Sequence, residues 1–226
     1  AFPDQFDQEH SRDIEPMRGG HGDNYYYQMV ANIRRFKGMT EDDIESQPKR
    51  KIAIDGDFMD WQDVKSYEAI KGNTIHRNSR GWGAYHYINT SGRNDIVQAK
   101  VAHDAKNVYF YVECAAPISS SADKAWMRLF IDADCDKLSG WEGYDYVINR
   151  TTPSQRAVVE HSRKGWQWQT VGDAKMVCKG CMMEIAIPRQ ILQLERKGGF
   201  ELEFKWVDNS QQDGDIYDFY LNGDAA

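Results

Sequence analysis

The chain has 226 residues and a formal net charge of −7 with an isoelectric point near 5.4, a balance that argues against a nucleic-acid backbone as partner. No stretch approaches the ~18–20 consecutive apolar residues of a membrane-spanning helix, and aromatic content is high, with seven Trp, twelve Tyr and nine Phe. The length suits one large β domain, or one domain with an extension.

Residues 1–22 are polar and aperiodic, and the opening AFPDQF shows neither the basic nor the apolar segment of an export signal. Asp23 or Asn24 then caps an expected helix over YYYQMVANIRRFK. It sets Tyr26, Val30, Ile33 and Lys37 on one face, and Gly38 ends it. A charged linker, MTEDDIESQPKR, follows. These features divide the chain into an extension over residues 1–48 and a β domain over 49–226.

From Lys51 the pattern turns to strands. IAIDGDFMDW opens with a short strand and a turn at Asp55-Gly56, so that Phe58 and Trp61 pack back. Residues 65–95, rich in Gly, Asn, Ser and aromatics, read as a long structured loop. QAKVAHD and NVYFYVE form a hairpin through Asp104–Asn107, with Val108, Phe110 and Val112 on one face and Tyr109 and Tyr111 on the other. Strands are then expected at WMRLFID, YDYVINR, RAVVEHS, WQWQTV, AKMVC and CMMEIAIP. The last two join through Lys179-Gly180, and RQILQL makes one helical turn. FELEFKWVD alternates Phe200, Leu202, Phe204 and Trp206 inward against Glu201, Glu203 and Lys205 outward. About ten short strands with regular turn signals predict an all-β antiparallel sandwich of jelly-roll or immunoglobulin-like type with an N-terminal helical extension.

Between the strands LFID and YVIN lies the densest chemistry in the chain. Asp132, Asp134 and Asp136 alternate, and Ser139, Gly140, Glu142 and Asp145 follow. Carboxylates crowded this closely repel one another unless a cation neutralises them, and D-x-D-x-D supplies part of an oxygen cage for Ca²⁺. Asp132, Asp134, Asp136 and Glu142 are the candidate ligands. The match to an EF-hand loop is partial, because Lys137 stands at the turn-glycine position and no Glu occupies the twelfth. The plainer alternative is a solvated acidic loop.

IDGDFMDW, VAHDAKNVYFYVE, LFIDAD, MEIAIP and FKWVD recur in this order in one group. From about Lys49 onward the chain resembles family 9 carbohydrate-binding modules and related sugar-binding domains of bacterial glycoside hydrolases. The resemblance implies a jelly-roll β-sandwich that binds saccharides, carries structural calcium and has no catalysis of its own. It also implies a periplasmic, cell-surface or secreted setting beside an adjoining glycosidase domain, and YYYQMVANIRRFKG looks like the tail of such a domain. One departure is that Trp126 lies too close to the FID strand to match the family's first sugar-clamping tryptophan. The tail DGDIYDFYLNGDAA has no second one.

Pyranose rings stack their C–H faces on aromatic rings and offer hydroxyls to charged and amide groups. Residues 80–95 supply both kinds of partner in Trp82, Tyr85, Arg93 and Asn94, and the acidic loop adds Trp141 and Tyr144. Trp82 and Trp141 lead because each lies in a glycine-rich loop. The alternative platform is Trp166 and Trp168, two residues apart on one strand. The six His are scattered, and no metalloprotease, nucleophile-elbow, phosphate-loop or dinucleotide pattern is present. The competing class is a catalytic glycoside hydrolase fragment or a redox, haem-binding sandwich, which needs an axial Met or His pair that no motif singles out. Cys178 and Cys181 flank a predicted turn and read as two reduced thiols, with a hairpin disulfide as the alternative. Cys114 and Cys135 read as unpaired.

Overall fold

The computed structural model describes residues 47–226 except 70, 73, 75, 81–85, 154–155, 195–198, 217–218, 220–223 and 226, together with Met29 and Ile33. The chain divides into two compact units, Ala1–Ser46 and Gln47–Ala226. The expected N-terminal helix lies outside the described residues apart from Met29 and Ile33.

The second unit is all-β. Its strands are β1 (Ser66–Glu68), β2 (Arg77–Arg80), β3 (His86–Asn89), β4 (Ile96–His103), β5 (Asn107–Cys114) and β6 (Arg128–Asp132). They continue with β7 (Tyr146–Ile148), β8 (Ala157–Lys164), β9 (Gln167–Lys179), β10 (Met182–Pro188), β11 (Glu203–Asp208) and β12 (Asp224–Ala225). Ten of them form one antiparallel sheet in the order β1-β4-β5-β10-β9-β8-β7-β6-β11-β12, while β2 and β3 pair separately. The 65–95 stretch, expected as a loop, therefore contributes three short strands. Alternation over so few residues, broken by Gly and Asn, is too weak a signal to mark them.

The two segments WQWQTV and AKMVC are one continuous strand, β9. It runs on past Gly172 with a register shift opposite Val159 and Glu160 of β8. β9 gives its first part to β8 and its last part to β10, so the sheet curls as a half-barrel. The curl brings β5 and β11, far apart in strand order, into contact through Phe110 and Phe204, whose ring centroids lie 5.4 Å apart. Inward residues of both parts share one core: Val108, Phe110 and Val112 of β5, Leu129 and Ile131 of β6, Ile185 and Ile187 of β10, and Trp206 of β11. Each large apolar side chain taken fully out of water there contributes about 1.5–3 kcal/mol.

The opposite face of β5 is buried too. Tyr109 and Tyr111 pack beneath Ile52, Ile54 and Trp61. Residues 51–57 form no strand, and the segment ends in a 3-10 turn, Phe58–Trp61, capped by Asp57. Residues 189–194 form hydrogen-bonded turns instead of a helix. The β9–β10 connection is Gly180–Cys181, one residue later than expected, because Lys179 still pairs with Met182.

Candidate metal centre and aromatic patch

Loop 133–145 leaves β6 at Asp132 and enters β7 through Asp145. Its winding comes from carboxylates capping backbone N–H groups just ahead of them. Asp132 Oδ1 accepts from Cys135 N–H at 2.7 Å, Asp134 Oδ1 from Asp136 N–H at 2.9 Å, and Asp136 Oδ1 from Leu138 N–H at 2.9 Å. Asx turns of this kind are what short acidic side chains do in tight loops. The loop then doubles back through Trp141–Tyr144, which exchange N–H···O bonds of 2.9 Å in both directions. Glu142 and Gly143 between them have φ of +52° and +91°, as a two-residue hairpin with both central residues left-handed requires. Gly140 before it must be glycine, since a Cβ there would collide with the Tyr144 carbonyl oxygen.

Asp132, Asp134 and Asp145 each offer an oxygen within 4.8 Å of the other two. Asp132 is fully buried, Asp145 is 7% exposed and Asp134 is exposed. Asp145 Oδ2 accepts from Ala133 N–H at 2.9 Å, and Ser139 Oγ lies 2.9 Å from Asp145 Oδ1 and 3.2 Å from Asp134 Oδ1. Burial, with Asp134 and Asp132 adding to it, raises the Asp145 carboxyl above the usual aspartate range against the opposing Ala133 and Ser139 bonds. Among the described residues Lys137 brings an ammonium to this group: its Nζ lies 2.8 Å from Asp132 Oδ2 and also donates to Glu203. Burial alone would lower that ammonium, but its bonds to Asp132 and Glu203 outweigh it and hold the group above the ordinary lysine value. The donor set is all oxygen with an excess of negative charge over the single ammonium, which fits a hard divalent cation.

Of the four ligands expected from sequence, Asp132 and Asp134 fall in this group. Asp136 and Glu142 are exposed and outside it. Asp136 is occupied in capping the loop, and Glu142 sits at the hairpin tip. Asp145 takes the third place. The signal for it was its position directly before YVI, which lays it beside Asp132 as β7 pairs with β6.

The same loop turns its aromatic residues onto the outer face of the sheet. Phe130 projects there from β6, away from the main core. Around it gather Trp141 at 5.6 Å, Tyr144 at 5.6 Å, Trp166 at 6.2 Å, Trp168 at 6.3 Å and Phe219 at 4.9 Å between ring centroids. Trp141, expected to stand open in its glycine-rich loop, is only 4% exposed, edge-on to Trp166 at 4.5 Å and to Phe219 at 5.1 Å. The tight hairpin explains the difference, because its glycines fold the loop down onto Phe130 and leave the indole no open face. Tyr144, Trp166 and Trp168 are half-buried. Trp166 and Trp168 stand perpendicular to each other at 5.5 Å, and the Trp168 Nε1–H is buried without a hydrogen-bond acceptor among the described residues.

The remaining sugar-site candidates separate. Trp82 and Tyr85 lie outside the described residues. Arg93 and Asn94 are committed to the fold. Arg93 Nε donates to the buried Asp208 at 2.8 Å and its Nη2 to the Lys124 carbonyl at 2.6 Å. Asn94 exchanges bonds with Ser119, its Oδ1 accepting the backbone N–H at 2.8 Å and its Nδ2 donating to Oγ at 3.0 Å. Trp126 is buried in the core with Nε1 donating to Ser119 O at 2.9 Å. Among the described histidines, His86 bonds Asn78 at 2.6 Å, His103 meets Gln47 O at 3.2 Å, and His161 packs edge-on to Tyr146. They do not converge. No helix among the described residues is long and apolar enough to cross a membrane.

No protein-family model, curated protein or solved structure matches the chain.

Proposed function

We propose that the chain is a non-catalytic carbohydrate-binding module of the family-9-like type. In this reading it is a jelly-roll sandwich with a structural calcium, serving a polysaccharide-degrading glycoside hydrolase system outside the cytoplasm. The observation that carries the proposal is that one loop feeds two adjacent features. Residues Trp141 and Tyr144 go to the aromatic patch, and the next residue, Asp145, goes to the carboxylate group. A cation held by Asp132, Asp134 and Asp145 would fix the loop and so hold the half-buried rings of Tyr144, Trp166 and Trp168 in place for a pyranose to stack on. Ser139 Oγ and backbone carbonyls of the loop would complete the oxygen set.

Trp166 and Trp168 replace the buried Trp141 as the leading contacts of the patch in this reading, because they keep part of their surface open, and Trp82 remains a candidate. Isothermal titration against a panel of soluble oligosaccharides tests it. The wild-type chain should bind one saccharide class, and Trp166→Ala or Trp168→Ala should weaken that binding at least tenfold, or about 1.4 kcal/mol. Binding unchanged in both variants would remove the patch from the site. Release of shortened products would place the chain among the glycoside hydrolases.

A further inference from the structure

β5 and β10 pair with Met183 against Val112 and Met182 against Glu113. The next position outward therefore sets Cys181 directly opposite Cys114, and the Cys114 N–H donates to the Cys181 carbonyl at 2.9 Å. Directly opposed, hydrogen-bonded residues of an antiparallel pair share a face, with Cα atoms about 5.5 Å apart. A disulfide spans about 4.4–6.8 Å between Cα atoms and about 3.5–4.5 Å between Cβ atoms, so closure draws the two Cβ atoms, about 4.5–5.5 Å apart in opposed pairs, together by roughly 1 Å. The pair is also held in place on both sides. Gly180, with φ of +62°, begins the tight turn, and its carbonyl accepts the Ile118 N–H at 2.9 Å, so the segment leaving β5 stays against the hairpin. All four cysteines are free thiols; Cys114 is buried, Cys181 half-buried and Cys178 exposed.

We propose that Cys114 and Cys181, and not the Cys178–Cys181 pair of the hairpin itself, form a cross-strand redox couple that closes when a small-molecule disulfide is supplied. Cys181, the more accessible thiol, loses its proton and attacks one sulfur of the reagent. The reagent's S–S bond breaks, one reagent thiolate leaves, and a mixed disulfide forms on Cys181. Cys114, deprotonated in turn, attacks Cys181 Sγ and expels the second reagent thiolate. The two protons end on the two released thiols, so the reagent is reduced by two electrons and the cysteine pair oxidised by two. Burial, with Asp208 and Asp95 nearby, pushes the Cys114 thiol well up, so the second step is the slow one and quickens with pH. Closure ties the β9–β10 hairpin to the end of β5 and shortens the freedom of the unfolded chain.

The test is to incubate the whole folded chain with oxidised glutathione, trap remaining thiols by alkylation and map the peptides by mass spectrometry. The expected result is a Cys114–Cys181 link. It should form equally in Cys178→Ser and raise the melting temperature by roughly 5 °C or more. In Cys181→Ser the link and the shift should both be absent. A Cys178–Cys181 link, or a folded chain that carries only glutathione adducts, would overturn the assignment. Wild type and Cys178→Ser already decide the matter, so the outcome does not depend on whether substitution of the buried Cys114 permits folding.

Discussion

The indole Nε1–H of Trp61 donates to Oε2 of Glu184 at 3.0 Å, while Oε1 of the same carboxylate accepts the backbone N–H groups of Asp55 and Gly56 at 2.8 Å each. Glu184 is fully buried in the middle of β10, so a charged side chain stands in a strand that otherwise reads as core. The three donors satisfy it, and through them the irregular segment 52–61 is fixed across the outer face of β5 and β10.

Glu184→Ala should therefore cost about 2–6 kcal/mol, because it leaves the buried Gly56 N–H and Trp61 Nε1–H without an acceptor, each worth about 1–3 kcal/mol, besides the part-buried Asp55 N–H. Trp61→Phe removes one of the three donors together with the five-membered ring of a fully buried indole, so it too should be destabilising, through a lost bond and a small cavity. Urea unfolding followed by far-ultraviolet circular dichroism checks both. Equal small losses would mean that the clamp does not hold the segment.

Much of the β domain was readable from the chain because its strands alternate over enough residues. NVYFYVE gives its two faces directly and appears as read, whereas in FELEFKWVD the strand begins only at Glu203 and Lys205, read as outward, is half-buried over the Phe219 ring. What could not be read was set by distant contacts. Glu184 looks like an outward residue until Asp55, Gly56 and Trp61 are brought to it from more than a hundred positions away. Trp141 looks exposed from its glycine neighbours, yet those glycines make the hairpin that presses it onto Phe130. Asp145 resembled one more loop acid, whereas Asp136 and Glu142 fitted a ligand spacing. The turn geometry of each, and not the spacing, decides which carboxylates meet.

Trp141→Ala should destabilise the chain by about 3–5 kcal/mol, as truncation of a buried aromatic does. Leu138→Ala at the loop tip, where the side chain is 95% exposed, should be nearly silent. Thermal or urea unfolding of the two variants compares them. Similar stability in both would contradict the placement of Trp141 beneath Phe219 and Trp166.

The carboxyl of Asp145 is raised above its ordinary value chiefly by burial, and the sign of its effect on stability follows. A carboxyl that holds its proton more tightly when folded contributes stability below the ordinary aspartate value, about pH 4, and that contribution is lost as pH rises through the raised value. In chelator, the wild type should lose stability relative to Asp145→Asn as pH climbs through that window. Saturating Ca²⁺ should reverse the order, since the ion favours the carboxylate form. Urea midpoints across a pH series, with and without Ca²⁺, measure this. Parallel curves for the two proteins would assign Asp145 no electrostatic role.

If Asp132, Asp134 and Asp145 hold Ca²⁺, the melting temperature should rise with the logarithm of the ion's concentration once that exceeds its Kd, and chelator should take the gain away. Asp134→Ala should abolish the response, and Glu142→Ala should leave it intact. A response lost in Glu142→Ala as well as in Asp134→Ala would restore the ligand set expected from sequence spacing.

The most direct test of the saccharide reading is retention of the whole chain on a glycan array in Ca²⁺ buffer, with Trp168→Ala and a chelator-treated sample run beside it. The account predicts retention on one class of saccharide without release of product, lost in Trp168→Ala and weakened by the chelator. A chain retained by no glycan, with or without Ca²⁺, would contradict it.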